Sequence, residues 1–173
     1  MARLAVIGSL VAAALIALGP PARAGTADEV VGLFTEACLP FAGTPARLRD
    51  WAARNALTDM PDPARTAFLN GAAGKVFDAS SSGGKFVLLS SDDGLCAAIA
   101  QQAKGADVVA ALEQELGKAG VAFRLAIERD DKVNPALHHR EYLATLKGRV
   151  WRILVATVND RAGGRAMLTA APG

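Results

Sequence analysis

The sequence predicts an α+β fold: N-terminal helices and one later helix pack on one face of a mainly antiparallel sheet of six or seven strands. Helix start signals recur between residues 26 and 71, and alternating apolar segments typical of strands dominate the rest. The regular alternation of strand and helix expected of a doubly wound parallel sheet is missing. The expected order is three helices, three strands, a helix and four strands.

Residues 1–24 have the three-part layout of a Sec-type signal peptide. Arg3 gives a positive N-terminus, an apolar segment covers Leu4 to Leu18, and small residues precede a cleavage point after Ala24. The apolar segment has about 15 residues, fewer than the roughly 20 that span a bilayer, so we expect cleavage rather than anchoring. We therefore expect a single domain over residues 25–173, periplasmic or secreted, with no membrane span after signal removal.

The first helix is predicted from Thr26 and Glu29, which have the spacing of a capping box. Apolar residues then follow at helical spacing as far as Cys38, and Pro40 ends the helix. Two further helix starts stand at Thr44–Pro45 and Asp62–Pro63, and Gly71 closes the third helix.

A change to strand character follows the third helix. The segments KVFDA and KFVLLS flank the loop SSSGG and predict a hairpin. A turn at residues 91–94 then leads into a third strand, in which Cys96 and Ala98 point to one face and Ala97 to the other. We expect the face of Cys96 to be the one that helices cover.

The second half is predicted as one helix and four strands. Asp107 is expected to cap the helix, which Gly117 or Gly120 ends. In the strand that follows, alternation places Val121, Phe123, Leu125 and Ile127 inward. REYLATL forms the next strand. Residues 150–158 are apolar on both faces, which is typical of a central strand covered on both sides. Arg165 to Ala170 forms the last strand, after a turn at DRAGG.

Cys38 and Cys96 are the only two cysteines of the chain. In an oxidising compartment an even count indicates a disulfide, here closing a loop of about 58 residues. A reactive thiol or a metal ligand is the functional alternative. The sequence has no CxxC motif and no other cysteine or histidine at ligand spacing, so it favours the disulfide.

The segment HHRE is the one place where metal-binding side chains gather. His138, His139 and Glu141, with Asp130 or Asp131, could form a site of imidazole and carboxylate groups. Adjacent histidines in a strand point to opposite faces, however, and the HExxH motif of metalloproteases is absent. A polar loop that leads into a strand is the favoured interpretation, and no metal or cofactor is predicted.

Charge limits the partners. The chain has 19 basic and 17 acidic side chains, and the signal peptide contains two of the basic ones and no acid. The remaining domain is formally neutral, which argues against nucleic acid or an anionic membrane surface, because both bind proteins with a basic excess.

Three segments, FTEAC, Trp51 and SSDDGLCAAIAQQAKGADVVAALEQEL, resemble a family of small exported bacterial proteins of unknown function. In that family a cysteine ends the first helix, and a second cysteine lies in a G-x-C strand before a helix begun by aspartate. The resemblance covers roughly residues 34–116. It implies export and a paired-cysteine domain, and it implies no activity.

From these observations we expect a non-enzymatic domain that binds a periplasmic protein or an envelope component through its sheet or helix surface. The alternative is a small periplasmic hydrolase or metal-dependent enzyme that uses His138, His139 or Glu141. A periplasmic inhibitor is a third possibility, and it would need an exposed loop shaped to enter an active site.

Overall fold

The computed structural model describes residues 25–158 and 164–173. The predicted signal peptide and most of the DRAGG turn lie outside these residues. Helical segments are α1 (Thr26–Leu33), a π-helical turn (Phe34–Cys38), α2 (Leu39–Phe41), α3 (Pro45–Arg54), α4 (Asp62–Leu69) and α5 (Gly105–Lys118). Strands are β1 (Thr58–Asp59), β2 (Gly74–Asp78), β3 (Phe86–Ser91), β4 (Cys96–Gln101), β5 (Ala122–Asp130), β6 (Leu137–Leu146), β7 (Arg149–Val158) and β8 (Arg165–Pro172).

Within the described residues, the strands form one eight-stranded antiparallel sheet in the order β1-β2-β3-β4-β8-β7-β6-β5. The α+β class is confirmed, and the expected number of six or seven strands is too low. The additional strand, β1, has two residues, which is too short for an alternating pattern to show in the sequence.

The main core lies between one face of the sheet and the helices α1, α3 and α5. It unites helix residues such as Phe34 and Leu112 with strand residues such as Ile153 and Leu168, all fully buried. A smaller cluster, formed by Leu69 of α4 with Val76, Leu89 and Ala97, lies on the opposite face. Helices therefore pack on both faces, and the expectation of helices on one face only is wrong for α4.

The first helix begins differently from the predicted capping box. Gly25 is the N-cap, and the carboxylate of Asp28 accepts a hydrogen bond from its backbone N–H at 3.1 Å. The Thr26 hydroxyl instead donates to the Gly83 carbonyl at 3.3 Å, and Glu29 accepts from the hydroxyl of Ser81. Both predicted capping side chains therefore tie α1 to the β2–β3 loop.

Two other terminal details also differ. Lys104, and not the predicted Asp107, is the N-cap of α5. Asp107 lies in the first turn, where its carboxylate is near the positive end of the helix dipole. The helix α4 begins at Asp62 after the N-cap Pro61 and ends at the left-handed Asn70.

The strands β5 and β7 are less covered than the sequence predicts. In β7, Trp151, Ile153 and Val155 are buried, but the alternate positions are half-buried or exposed, because no helix covers their side of the sheet. In β5, a bulge between Leu125 and Ile127 shifts the alternation, and both side chains are more than 40% exposed at the sheet edge.

A disulfide joins Cys38 at the end of the π-helical turn to Cys96 at the start of β4, with Cα atoms 5.3 Å apart. Both cysteines are buried in the main core, so Cys96 lies on the helix-covered face as expected. The bond ties the N-terminal helical segment to the middle of the sheet. Within residues 25–158 and 164–173, no helix is long and apolar enough to cross a bilayer.

Candidate binding groove on the open sheet face

We use "open face" for the side of strands β5 to β8 that points away from α1, α3 and α5. Directly paired residues share a face, so the register places side chains in rows across the strands. One row runs Met167, Ala156, His139, Arg129 from β8 to β5. The row beside it runs Thr169, Leu154, Glu141, Ile127. Apolar residues therefore occupy the middle of the open face, and charged ones lie toward β5.

A groove crosses this face next to α4. Its volume is about 430 Å³, and its walls are Phe68, Leu69, Ala72, Leu89, Ser91, Asp93, Leu95, Ala97, His139, Leu154, Ala156, Met167 and Thr169. One wall is the end of α4, which covers β2 to β4 but stops short of β7. The floor is the part of these rows on β6 to β8: Met167, Ala156 and His139 of one row, and Thr169 and Leu154 of the other. The groove exists because a short helix covers only part of a wide sheet.

Apart from Thr169 on the floor, the polar side chains of the groove lie at its rim. Asp93 lies in the β3–β4 turn, where its carboxylate accepts a hydrogen bond from the backbone N–H of Leu95 at 3.1 Å. This bond, with a further one from the Ser91 side chain, lowers the pKa of Asp93. At the opposite end, His139 Nε2 lies 3.6 Å from a carboxylate oxygen of Asp131.

Basic side chains outnumber acidic ones among the outward positions of β5 to β8. Arg124, Arg129, Arg152 and Arg165 are exposed on these strands, against the single carboxylate of Glu141. Glu141 is bound in a two-bond ion pair by Arg152, at 2.8 and 3.0 Å. The other three arginines have no hydrogen-bonded or ion-paired side-chain partner among the described residues.

The structure separates the three residues that the sequence offered as candidates for a metal or catalytic site. His138 points to the side of α5, whereas His139 and Glu141 belong to the open face. His139 lies at the groove with Asp131, and Glu141 is occupied by Arg152. Within the part of the chain that the structure describes, no three histidine, cysteine or acidic side chains form a group that could hold a metal ion.

His138 is the centre of a charged cluster between β5, β6 and α5. Its Nδ1 lies 2.8 Å from Asp130, and its Nε2 lies 3.2 Å from Glu128. Both ring nitrogens therefore face carboxylates, which favours the doubly protonated ring. The hydrogen bond to Asp130, supported by Glu128, raises the pKa of His138. The hydrogen bond from Arg140, followed by that from His138, lowers the pKa of Glu128.

Tyr142 extends the same cluster toward the core. Its hydroxyl donates to the carboxylate of Glu113 on α5 at 2.6 Å, and burial together with this bond raises its pKa to about 12. Arg140 bridges Glu128, at 2.6 Å, and Glu113, at 3.6 Å. Because every charge here faces an opposite charge within the protein, the cluster joins β5 and β6 to α5 and offers no unpaired group to a ligand.

Most groove residues were not singled out from the sequence. Leu154, Met167 and Ala97 lie on three different strands, and α4 comes from the first half of the chain. Of the candidates named from the sequence, only His139 lines the groove. The available signal was the apolar character of both faces of β7, which we interpreted as burial by a second layer.

No protein-family model matches this chain, and no curated protein has a significant match to it. Function is therefore inferred here from the groove and from the charges around it. The resemblance to small exported proteins stays a prediction.

Proposed function

We propose that this protein is an exported, non-enzymatic binding domain that holds the apolar part of a ligand in the groove between α4 and the open face. The groove itself is the observation that supports this function most directly. Its volume falls within the roughly 300–1,000 Å³ of small-molecule sites, and it combines apolar walls with a few polar groups at the rim.

The exposed apolar surface supports the same proposal. Met167 is one of the most exposed large apolar side chains of the described residues, and it lies in the groove beside the half-buried Leu154 and Ala156. An exposed apolar patch with a polar border is typical of a binding surface, because leaving such area in water is unfavourable.

A rigid support for the groove comes from the other side of the sheet. The floor residue Leu154 is preceded by Ile153, which is fully buried under the helices, and Met167 is followed by the buried Leu168. The disulfide at Cys96 fixes the strand next to β8. Binding sites on strands with a packed back face keep their geometry better than sites on loops.

Export is part of the proposal and has two supports. The leader-like segment ends at residue 24, and the disulfide between Cys38 and Cys96 is of the kind that persists in oxidising compartments. A periplasmic or secreted site of action follows from both.

The enzymatic alternative has less support. A hydrolase or metal enzyme that uses His138, His139 or Glu141 requires the side chains that it uses to converge on one reacting atom. His139 faces Asp131 at 3.6 Å, and no third metal-binding group joins this pair among the described residues. His138 and His139 point to opposite faces of the sheet, and Glu141 is engaged by Arg152.

The test uses N-phenyl-1-naphthylamine, an uncharged apolar dye that becomes fluorescent in apolar sites. We expect the wild-type domain to bind the dye saturably at one site. Met167→Asp, which puts a carboxylate on the groove floor, should weaken binding by at least about tenfold, equivalent to about 1.4 kcal/mol. Val150→Asp is the matched control, since Val150 is exposed on the same sheet but outside this groove.

Equal loss in both variants would contradict the proposal, because it would place the dye outside the groove. Absence of saturable binding to the wild type would also contradict it. Circular dichroism and thermal unfolding of both variants show whether each keeps the native fold, and a folded Met167→Asp protein that binds normally would refute the assignment of the site.

A further inference from the structure

We propose that the ligand is a long single-chain carboxylate amphiphile of the fatty-acid class, with its chain in the groove and its carboxylate on Arg129. This inference rests on the proposed function, since it names the ligand of the same groove. Two independent features support it: the direction and length of the groove, and the charges at its end.

The groove is long and runs across the strands. Its lining includes Leu89 of β3, Ala97 of β4, Met167 of β8, Ala156 of β7 and His139 of β6. These five neighbouring strands are separated by four spacings of about 4.8 Å, so the floor is about 19 Å long. An extended alkyl chain has these dimensions, whereas a compact ring system would leave much of the length unfilled.

One end of the groove is mainly apolar. Phe68 and Leu69 of α4 stand over Leu89 and Leu95, and this end belongs to the smaller apolar cluster. Asp93 lies nearby, but its carboxylate is used by the backbone of its own turn, through Leu95. The terminal part of an alkyl chain fits this end. Among the lining residues there, it would not cover a hydrogen-bond donor that lacks a partner.

The other end opens toward the sheet edge and Arg129. His139 lines the groove on β6, and Arg129 lies directly opposite it on the same face of β5. Among the described residues the guanidinium of Arg129 has no side-chain or backbone partner, so its donors are available to a ligand. A carboxylate is the acceptor that a guanidinium binds with two parallel hydrogen bonds.

The acidic groups near this end do not cancel that attraction at short range. Asp131 accepts hydrogen bonds from the backbone N–H groups of Val133 and Asn134, both at 2.9 Å, which lower its pKa. It thereby closes the β5–β6 turn and also faces His139. Glu141 is held by Arg152. The unused hydrogen-bonding capacity at the mouth of the groove is therefore cationic.

The test is competition against bound dye by three C16 compounds with the same chain: the carboxylate, the primary alcohol and the primary amine. We expect the carboxylate to displace the dye at about tenfold lower concentration than the alcohol, the size of one charge-assisted interaction. The amine should be the weakest. All three are used below the concentrations at which they form micelles or separate from solution.

Arg129→Gln should remove most of the advantage of the carboxylate over the alcohol and leave the affinity for the dye and the alcohol unchanged. Arg124→Gln is the matched control, because Arg124 lies on the same strand and face, opposite Leu143, away from the groove. We expect it to keep the advantage in full. Both arginines are exposed, so neither change should affect folding.

Different failures have different meanings. Three results would overturn the assignment of the ligand: equal competition by the carboxylate and the alcohol, tighter binding of the amine, or displacement of the dye by an acidic peptide without an alkyl chain. In each case, dye binding by the wild type would still support the groove as a binding site. An equal effect of Arg129→Gln and Arg124→Gln would overturn the role of Arg129. Absence of dye binding by the wild type would instead refute the proposed function itself.

Discussion

The two faces of the sheet have similar apolar content along β7, yet only one is covered. On the helix side, Trp151, Ile153 and Val155 are buried against the main core. On the open face, Val150 is exposed, and Leu154 and Ala156 are half-buried beside the groove. Covered apolar residues stabilise the fold, whereas uncovered ones form a surface that a ligand can complete.

A similar contrast separates the two halves of the sheet. The strands β2 to β4 have α4 on one face and α1 and α3 on the other, while β5 to β8 have helices on one face alone. The groove lies at the boundary between these halves. The last residues of α4, Phe68 and Leu69, form part of its wall.

The disulfide provides the largest expected effect on the covered side. Replacing both Cys38 and Cys96 with Ala should lower the free energy of unfolding by about 4 kcal/mol, because the bond restricts a 58-residue loop in the unfolded chain. Urea unfolding of the oxidised wild type and of the double variant measures the difference. Equal stability of the two proteins would show that the bond does not form or does not constrain the chain.

A matched pair on β7 sharpens the comparison of faces. Ile153→Ala should cost about 3 kcal/mol, because it leaves a cavity in the fully buried core. Leu154→Ala should lower the free energy of unfolding by only about 1 kcal/mol, because the Leu154 side chain is half-buried. It should weaken dye binding, because Leu154 lines the groove. Ile153→Ala should leave dye binding unchanged at temperatures where that variant is folded. Similar losses of stability for both variants would contradict the unequal cover of the two faces.

The pH dependence of stability tests the helix side of the comparison, and here we expect the smallest effect. The raised pKa of His138 means that its stabilising contribution is complete below its unfolded pKa of about 6.5. The contribution is lost as the pH rises through the higher folded pKa.

Unfolding of the wild type and of His138→Gln, measured from about pH 5.5 to pH 8.5, tests this sign. The stability advantage of the wild type should shrink as the pH rises. An advantage that grows with pH would mean that Asp130 and Glu128 do not hold the protonated ring.

Local signals predicted much of the fold. The even count of cysteines gave their pairing. Helix starts at Pro45 and near Thr26, the alternation of Cys96 and Ala97, and the turn residues gave most of the elements. These features depend on neighbours in the chain. The division of β4 into a Cys96 face and an Ala97 face was also accessible, since the periodicity of a strand is local.

The features that the sequence did not predict depend on distant partners. Nothing in Asp62–Leu69 indicates that this helix packs on the face opposite α1, because an amphipathic stripe does not specify which surface it meets. The two apolar faces of β7 likewise do not distinguish burial under a second layer from exposure in a groove. The groove, formed by both features together, was therefore not predictable, although His139 was noted for its chemistry.

The central claim is that the open face, and not the helix-covered face, is the recognition surface. The most direct test is a methyl NMR titration of the folded domain with N-phenyl-1-naphthylamine, which follows Met167 and Leu154 in the groove and Ile153 and Leu168 behind it. We predict saturable shifts at Met167 and Leu154 with far smaller shifts at Ile153 and Leu168. Shifts concentrated at the buried pair, or spread evenly over all four residues, would contradict the claim.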